Sequence, residues 1–498
     1  MNGHNSFRKY LSFLLLILTL VVKAQTCFAQ TKAQKLDNLI TTCYENGQFN
    51  GALLVAEHGN IIYQKALGVV DYKTKEQLSL DSQFRLASVS KQFTAMAIMM
   101  LKEEDKLTYE DDIRKHIPEL PYGFITIRNL LNHTSGLPDY VTMFNKHWEK
   151  TQENSSAKKV AANNDAIELL AKHKPTAHFT PGDRWEYSNT GYVILASIVE
   201  RVSGEEFDNF LKLHVFTPLK MTRTLVYSPI KDQQMEYRVY GYRLALDGSS
   251  TTPNDHHYLN GIAGDGGIYS TIGDLFKWDQ SLYTKKLVNR STLEEAFQPV
   301  TLNNDSTHNY GFGWGIGETK EGKKRVSHSG GWVGFRTYIH REIEDRNTFI
   351  ILTNHSSSYL NSIRQEILNI LHDREYTIPK ISIAGILAKT LRNEGLDRAI
   401  HQYHHLKVEE IDKYNFAERE LNTLGYHYLQ NNSFDIAITI FKLNVEVYPE
   451  AYNVYDSLGE AYMKAGKLEL AIENYQKSVE LNPDNTNAVD MLKKLKVE

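Results

Sequence analysis

Ser88-Val89-Ser90-Lys91 sets a hydroxyl and an amine three residues apart. Residues 93–101 are almost all apolar, and the charged run 102–106 closes them off. The stretch reads as a helix buried on most sides that opens at Ser88. Residues three apart share a helix face, and a hydroxyl at a helix N-terminus sits among free backbone N–H groups. An amine one turn away can take its proton, which makes a serine nucleophile with its own base. The alternative is a helix N-cap serine beside a surface lysine. Ser6/Lys9, Ser155/Lys158, Ser156/Lys159 and Ser228/Lys231 share the spacing, but none opens a long apolar run.

Such a pair needs a second proton carrier and donors for an oxyanion. Tyr187-Ser188-Asn189 follows the turn Pro181-Gly182. It precedes a predicted helix with Leu195, Ile198, Val199 and Val202 on one stripe, ended by Gly204. A loop tyrosine there can aim its phenol into a cleft; the alternative is a packing aromatic. His328-Ser329-Gly330-Gly331 is expected to end a strand. Glycines at a strand end let a ligand approach the backbone, so the N–H groups of Gly331 and Ser88 would face a developing oxyanion. The alternative is a tight glycine turn with a surface histidine.

The elements that must position these groups are legible from patterning. Residues 36–44 read as a helix. Residues 51–56 and 61–70, joined by His58-Gly59-Asn60, read as a hairpin. Strand patterns return at 310–316, 324–328, 335–341 and 348–353. Two early strands and about three late ones are expected to form one antiparallel sheet, with a helical middle section inserted between them. A helix over 358–372 is expected to pack back on that sheet.

In this order the three motifs resemble those of the serine β-lactamase and penicillin-binding-protein superfamily, closest to its class C β-lactamase and D-alanyl-D-alanine carboxypeptidase branch. The resemblance covers roughly residues 35 to 372. It includes Phe84-Arg85-Leu86-Ala87, Leu130-Leu131-Asn132-His133-Thr134-Ser135-Gly136-Leu137, and Gly264-Asp265-Gly266-Gly267-Ile268-Tyr269-Ser270-Thr271. It implies an α+β domain with a five-stranded antiparallel sheet flanked by helices, a helical subdomain, and the site between them. It further implies that Ser88 is acylated, that Lys91 and Tyr187 share the proton traffic, and that Asn189 bonds the substrate amide or Lys91. Ser329, Gly330 and Gly331, with His328, fall on the motif that holds substrate and oxyanion. Which of Lys91 and Tyr187 is the base stays open. A lysine serves near neutral pH when burial lowers its pKa, a tyrosine when a neighbouring cation does. His133-Thr134-Ser135-Gly136 is read as architectural, since no lysine follows Ser135 by a turn.

One position departs from the pattern. β-Lactamases and carboxypeptidases usually carry lysine where His328 stands. Histidine is mostly neutral at pH 7. The resemblance therefore extends to esterase and D-aminopeptidase relatives with His-x-Gly. The expected reaction is hydrolysis of an ester, amide or β-lactam-like bond through an acyl-enzyme, with no cofactor and no metal. His-Glu-x-x-His and Gly-x-Ser-x-Gly are both absent, which argues against a zinc hydrolase and an α/β-hydrolase.

The rest of the chain repeats itself. Leu424-Gly425, Tyr428, Ala437, Phe441 and Pro449 recur as Leu458-Gly459, Tyr462, Ala471, Tyr475 and Pro483, each 34 residues on. This is the period and pattern of tetratricopeptide helix–turn–helix units. A degenerate copy around 396–403 precedes them. The expected organisation is a secretory signal peptide over 1–29, a hydrolase domain over 30–375 and an all-α tetratricopeptide-repeat domain over 380–498. The signal reading rests on Arg8-Lys9 followed by an apolar stretch over 10–22, which is short for a membrane span. The protein is then exported, periplasmic or secreted, and touches a membrane only if that segment is retained. Cleavage after Ala29 removes Cys27 and leaves Cys43 without an intramolecular partner. A net charge of −4 with no basic cluster gives no reason to propose nucleic acid. The substrate is a small molecule or peptide, and the repeats offer a surface to a protein partner. A rival reading is a binding protein that is acylated without turnover, or not at all, while its repeats dock a partner.

Overall fold

The computed structural model describes residues 30–148, 160–231, 235–248 and 250–495. The expected signal peptide lies outside them. Among the described residues no helix is long and apolar enough to cross a membrane.

The main sheet has six strands: β1 (Gly51–Glu57), β2 (Asn60–Leu67), β3 (Gly315–Glu318), β4 (Lys324–Trp332), β5 (Phe335–Glu342) and β6 (Asn347–Thr353). Their order is β3-β4-β5-β6-β1-β2, antiparallel throughout. The first and last parts of the chain meet at β1–β6, where Gly51 pairs Thr353 and Ala56 pairs Thr348. Both central strands are buried on both faces, which explains their unbroken β-branched and aliphatic runs.

Alternation along the strands separates two cores. Leu53, Val55, Phe349 and Ile351 meet α1 (Lys32–Glu45) and α4 (Leu360–Leu371) through Leu36, Leu39, Ile40, Ile363 and Ile367. Each such aliphatic side chain contributes about 1.5–3 kcal/mol when fully buried. A capping box between Thr31 and Gln34 starts α1. Cys43 lies in this layer, where burial pushes its thiol pKa up to about 12. On the other face Ala52, Leu54, Ile350 and Leu352 join the larger core of the helical region. That core holds α2 (Lys91–Glu103) and α3 (Asn189–Ser203), both buried along most of their length.

Two expectations need correction. Residues 310–314 alternate like a strand but form a loop, and pairing starts at Gly315, which adds a sixth strand to the expected five. The glycines explain this: a Cβ at Gly311 would lie 2.1 Å from the Ala296 carbonyl oxygen, and Gly313 has φ 76°. They serve close approach to other segments, not a pleat. Secondly, the strand expected over 324–328 runs on to Trp332, so His328-Ser329-Gly330-Gly331 forms the last part of β4 and pairs with β5 throughout.

Beyond α4 come helices in antiparallel pairs: α5 (Ile383–Glu394) with α6 (Leu396–Glu409), α7 (Glu418–Gln430) with α8 (Phe434–Val447), and α9 (Tyr452–Lys464) with α10 (Leu468–Leu481), followed by α11 (Thr486–Leu495). The 34-residue period appears as one contact made twice. Gly425 faces the Phe441 ring, and Gly459 faces the Tyr475 ring; a Cβ would lie 2.5 and 3.1 Å from them. The degenerate copy is the α5–α6 pair. It packs on the sheet-bearing part of the chain through Leu246, an Asp247–Arg392 ion pair at 2.7 Å, and the Gln48 side-chain amide donating to the Pro379 carbonyl at 2.8 Å.

Candidate active site

Ser88 sits in a 3-10 turn, Ala87–Ser90, that leads into α2; the α-helix itself begins at Lys91. Ala87 is left-handed, with φ 49°, a conformation that costs a Cβ-bearing residue about 1–2 kcal/mol. Strand β4 lies against this turn. A Cβ at Gly330 would fall 2.2 Å from the Leu86 carbonyl oxygen and 3.2 Å from Ala87 Cβ. The Thr337 hydroxyl on β5 donates to the same Leu86 carbonyl at 2.7 Å. Glycine at 330 is thus what lets the sheet touch the turn that carries Ser88. Gly331 lines both clefts that open at Ser88.

Lys91 is fully buried. Its Nζ stands 3.2 Å from Ser88 Oγ, 2.8 Å from Asn189 Oδ1 and 2.8 Å from the Asp265 carbonyl oxygen. The last two are obligate acceptors and take two N–H groups. The third direction faces the serine hydroxyl, which can donate or accept. A neutral amine held this way can accept the serine proton; an ammonium can return it.

Asn189 is the first residue of α3, whose N-cap Ser188 accepts from the Gly191 N–H. Tyr187, half-exposed just before it, has its ring 4.9 Å from Lys91 Nζ. His133 fixes this tyrosine. The two rings pack with centroids 4.3 Å apart. His133 Nδ1 accepts from the Ser188 N–H at 3.1 Å, and its carbonyl accepts from the Glu186 N–H at 3.0 Å. Both neighbours of Tyr187 are therefore tied to one residue. Burial, then the Lys91 charge, holds the His133 pKa well below the usual imidazole range.

His328 departs from its expected place. It is buried, and neither ring nitrogen is left for a substrate: Nδ1 donates to the Ser329 carbonyl at 2.7 Å, and Nε2 accepts from the Tyr310 hydroxyl at 2.8 Å. Burial and the Lys91 charge push its pKa down to about 3. Sequence alone leaves it at a strand end; Tyr310, from a separate loop, is what closes over it. Ser329 and Gly331 point the other way, exposed, while Gly330 is buried in the turn contact.

Direct hydrogen bonds thus join Ser88, Lys91 and Asn189, a ring contact adds Tyr187, and Ser329 and Gly331 line the same opening. Three further residues, Asp265, Tyr140 and Arg85, line one cleft beside Ser88. Asp265 was visible only as part of a glycine-rich run. Among the described residues no group of three or more His, Cys, Asp or Glu is placed to hold a metal.

Comparison with known proteins gives the family and the fold. The family model described as beta-lactamase matches residues 36–371, and the tetratricopeptide repeat matches residues 457–485. A penicillin-binding protein of Bacillus subtilis (strain 168) is 39% identical over 361 residues, covering 70% of this chain and 78% of that protein. The octameric penicillin-binding protein homologue from Pyrococcus abyssi is 26% identical, with a TM-score of 0.59 over 71% of this chain and 81% of that one. The D-amino acid amidase from Ochrobactrum anthropi SV3 shares the fold at 22% identity, with a TM-score of 0.56 over 69% of this chain and 97% of that one. A C-terminal tetratricopeptide repeat is thus joined to a larger α+β domain, and the chain belongs to the beta-lactamase family, the group that includes the penicillin-binding proteins.

Proposed function

We propose that this protein is an exported serine hydrolase that cleaves an ester, amide or β-lactam-like bond through an acyl-enzyme on Ser88. The observation that carries the reading is the Lys91 amine, whose two carbonyl partners leave only the direction of Ser88 Oγ for proton exchange. Ser88 Oγ bonds to the substrate carbonyl carbon while its proton passes to Lys91 or Tyr187. The carbonyl oxygen becomes an oxyanion and takes the N–H groups of Ser88 and Gly331; one such donor is worth roughly 2.7–4 kcal/mol of barrier. The carbon–leaving-group bond then breaks, and the leaving group takes the proton back. Water adds to the acyl ester by the same route in reverse and frees Ser88. Tyr187 lines the cleft that also holds Trp185 and Tyr310, so the leaving group departs on that side. The helical repeats serve a protein partner.

An activated phosphonate or β-lactam probe tests this. Wild type is expected to be labelled at Ser88, located by peptide mass mapping, and Ser88→Ala to remove the label. Labelling without turnover on any ester or amide would favour the binding-protein reading instead.

A further inference from the structure

Two clefts open at Ser88, and they differ in size. The one on the Tyr187 side has a volume of about 450 Å³. The one on the Asn189 side has a volume of about 50 Å³, room for about three to five groups the size of a water molecule or a methyl. The leaving half of the substrate departs toward Tyr187, so the acyl half occupies the smaller cleft.

The lining of the smaller cleft sets where an acyl chain must stop. Its rim is partly exposed and includes Val141 and Trp332; Leu259 and Ile262 lie buried behind them. Its floor is not apolar. Arg85 and Tyr140 are buried there, and Asp265 Oδ2 accepts from the Tyr140 hydroxyl at 3.0 Å. Methylene groups pushed that far would press on a guanidinium and a carboxylate and take away their remaining solvent, which is unfavourable.

Trp332 is not free to give way. It ends β4, and its partner Phe335 follows after the two-residue turn Val333-Gly334. Its indole N–H donates to Asn260 Oδ1 at 2.9 Å. The Asn260 side chain is itself buried, and its amide donates to the Asp255 carbonyl at 2.5 Å. The His257 ring meets the indole edge-on, with centroids 5.1 Å apart. The bulkiest wall of the cleft is thus fixed through its indole nitrogen, its ring and its backbone.

Building on the acyl-enzyme reading, we infer that Trp332 is the specificity-determining residue of the acyl side and limits the acyl group to about four carbons, the length that the smaller cleft admits. The substrates are then short-chain acyl esters or amides of large alcohols or amines: the protein removes a small acyl group from a bulky carrier.

The test holds the leaving group constant and lengthens the acyl chain, using p-nitrophenyl acetate, butyrate and hexanoate. In wild type kcat/KM, or the rate of the nitrophenol burst where the acyl-enzyme accumulates, is expected to be similar for acetate and butyrate and at least tenfold lower for hexanoate. Trp332→Ala should cut the butyrate-to-hexanoate ratio at least fivefold, and Trp332→Phe by less. Because each ratio is taken within one enzyme, a general loss of activity or stability does not mimic the result. Enlarging the leaving group instead, from phenyl acetate to 1-naphthyl acetate, should not lower kcat/KM. Hexanoate accepted as fast as butyrate, an unchanged ratio in Trp332→Ala, a fivefold loss with the naphthyl ester, or no acylation by any of these esters in an enzyme whose Ser88 is labelled by the probe would each overturn the inference. Failure of the probe to label Ser88 overturns the hydrolase reading itself, and the acyl limit with it.

Discussion

Gly330 and Leu86 are in contact across 244 residues of chain, with room for no Cβ between them: the ideal position lies 2.2 Å from the Leu86 carbonyl oxygen. Gly330→Ala must push β4 away from the turn that carries Ser88. Overpacking of this kind costs about 1–3 kcal/mol. We expect urea unfolding to show that loss, and Ser88 labelling to slow more than the stability loss alone explains.

Tyr187→Phe removes a hydroxyl that makes no hydrogen bond among the described residues and keeps the ring on His133. Stability should not change. If the phenol carries a proton in the reaction, kcat/KM falls by a factor on the order of 10²–10⁴. A loss below threefold on both ester and amide substrates would assign all proton transfer to Lys91.

His133→Ala leaves the motif serine and lysine intact but unties both neighbours of Tyr187. We expect the variant to lose activity as Tyr187→Phe does, and also to unfold more readily by about 3 kcal/mol, a large-to-small change in a packed ring cluster. Thermal unfolding beside steady-state kinetics checks both.

His328 makes the fold acid-sensitive. Its pKa is about 3 when folded, below the imidazole value of about 6.5 expected unfolded. Between these values the unfolded chain binds a proton that the native state refuses, so stability rises with pH there. The contribution is complete above about pH 6.5 and is lost as the pH falls toward 3. Unfolding free energies at pH 7, 5.5 and 4.5 should fall more steeply in wild type than in His328→Asn. Parallel slopes would show that the imidazole is not the group responsible.

Gly425→Ala places a methyl 2.5 Å from the Phe441 ring. It should loosen the α7–α8 pair while leaving the sheet-bearing part of the chain folded. Limited proteolysis is expected to cut first within residues 410–450, with Ser88 labelling retained.

How much of this was legible depended on the range of each signal. Ser88 and Lys91 are one helical turn apart, so spacing alone predicts that they meet. The repeats were legible for the same reason, since a packing contact made twice at a fixed interval leaves a period. The sheet followed from β-branched runs, but residues 310–314 misled because glycines that fit close approaches alternate with aromatics just as a strand does. The burial of His328 depended on Tyr310, which comes from a different loop. The link from His133 to Tyr187 depended on a main-chain N–H at Ser188, which no residue type encodes. Asp265 fell within the quoted run 264–271, but only the fold brings its main-chain oxygen to Lys91.

Lys91 is enclosed on every side and pinned at three points of its amine. A side chain so confined has no second rotamer to visit. In the proposed acyl-enzyme cycle, hydrogens would relocate inside a stationary socket, and the parts that travel would be the incoming molecule, the severed fragment and water.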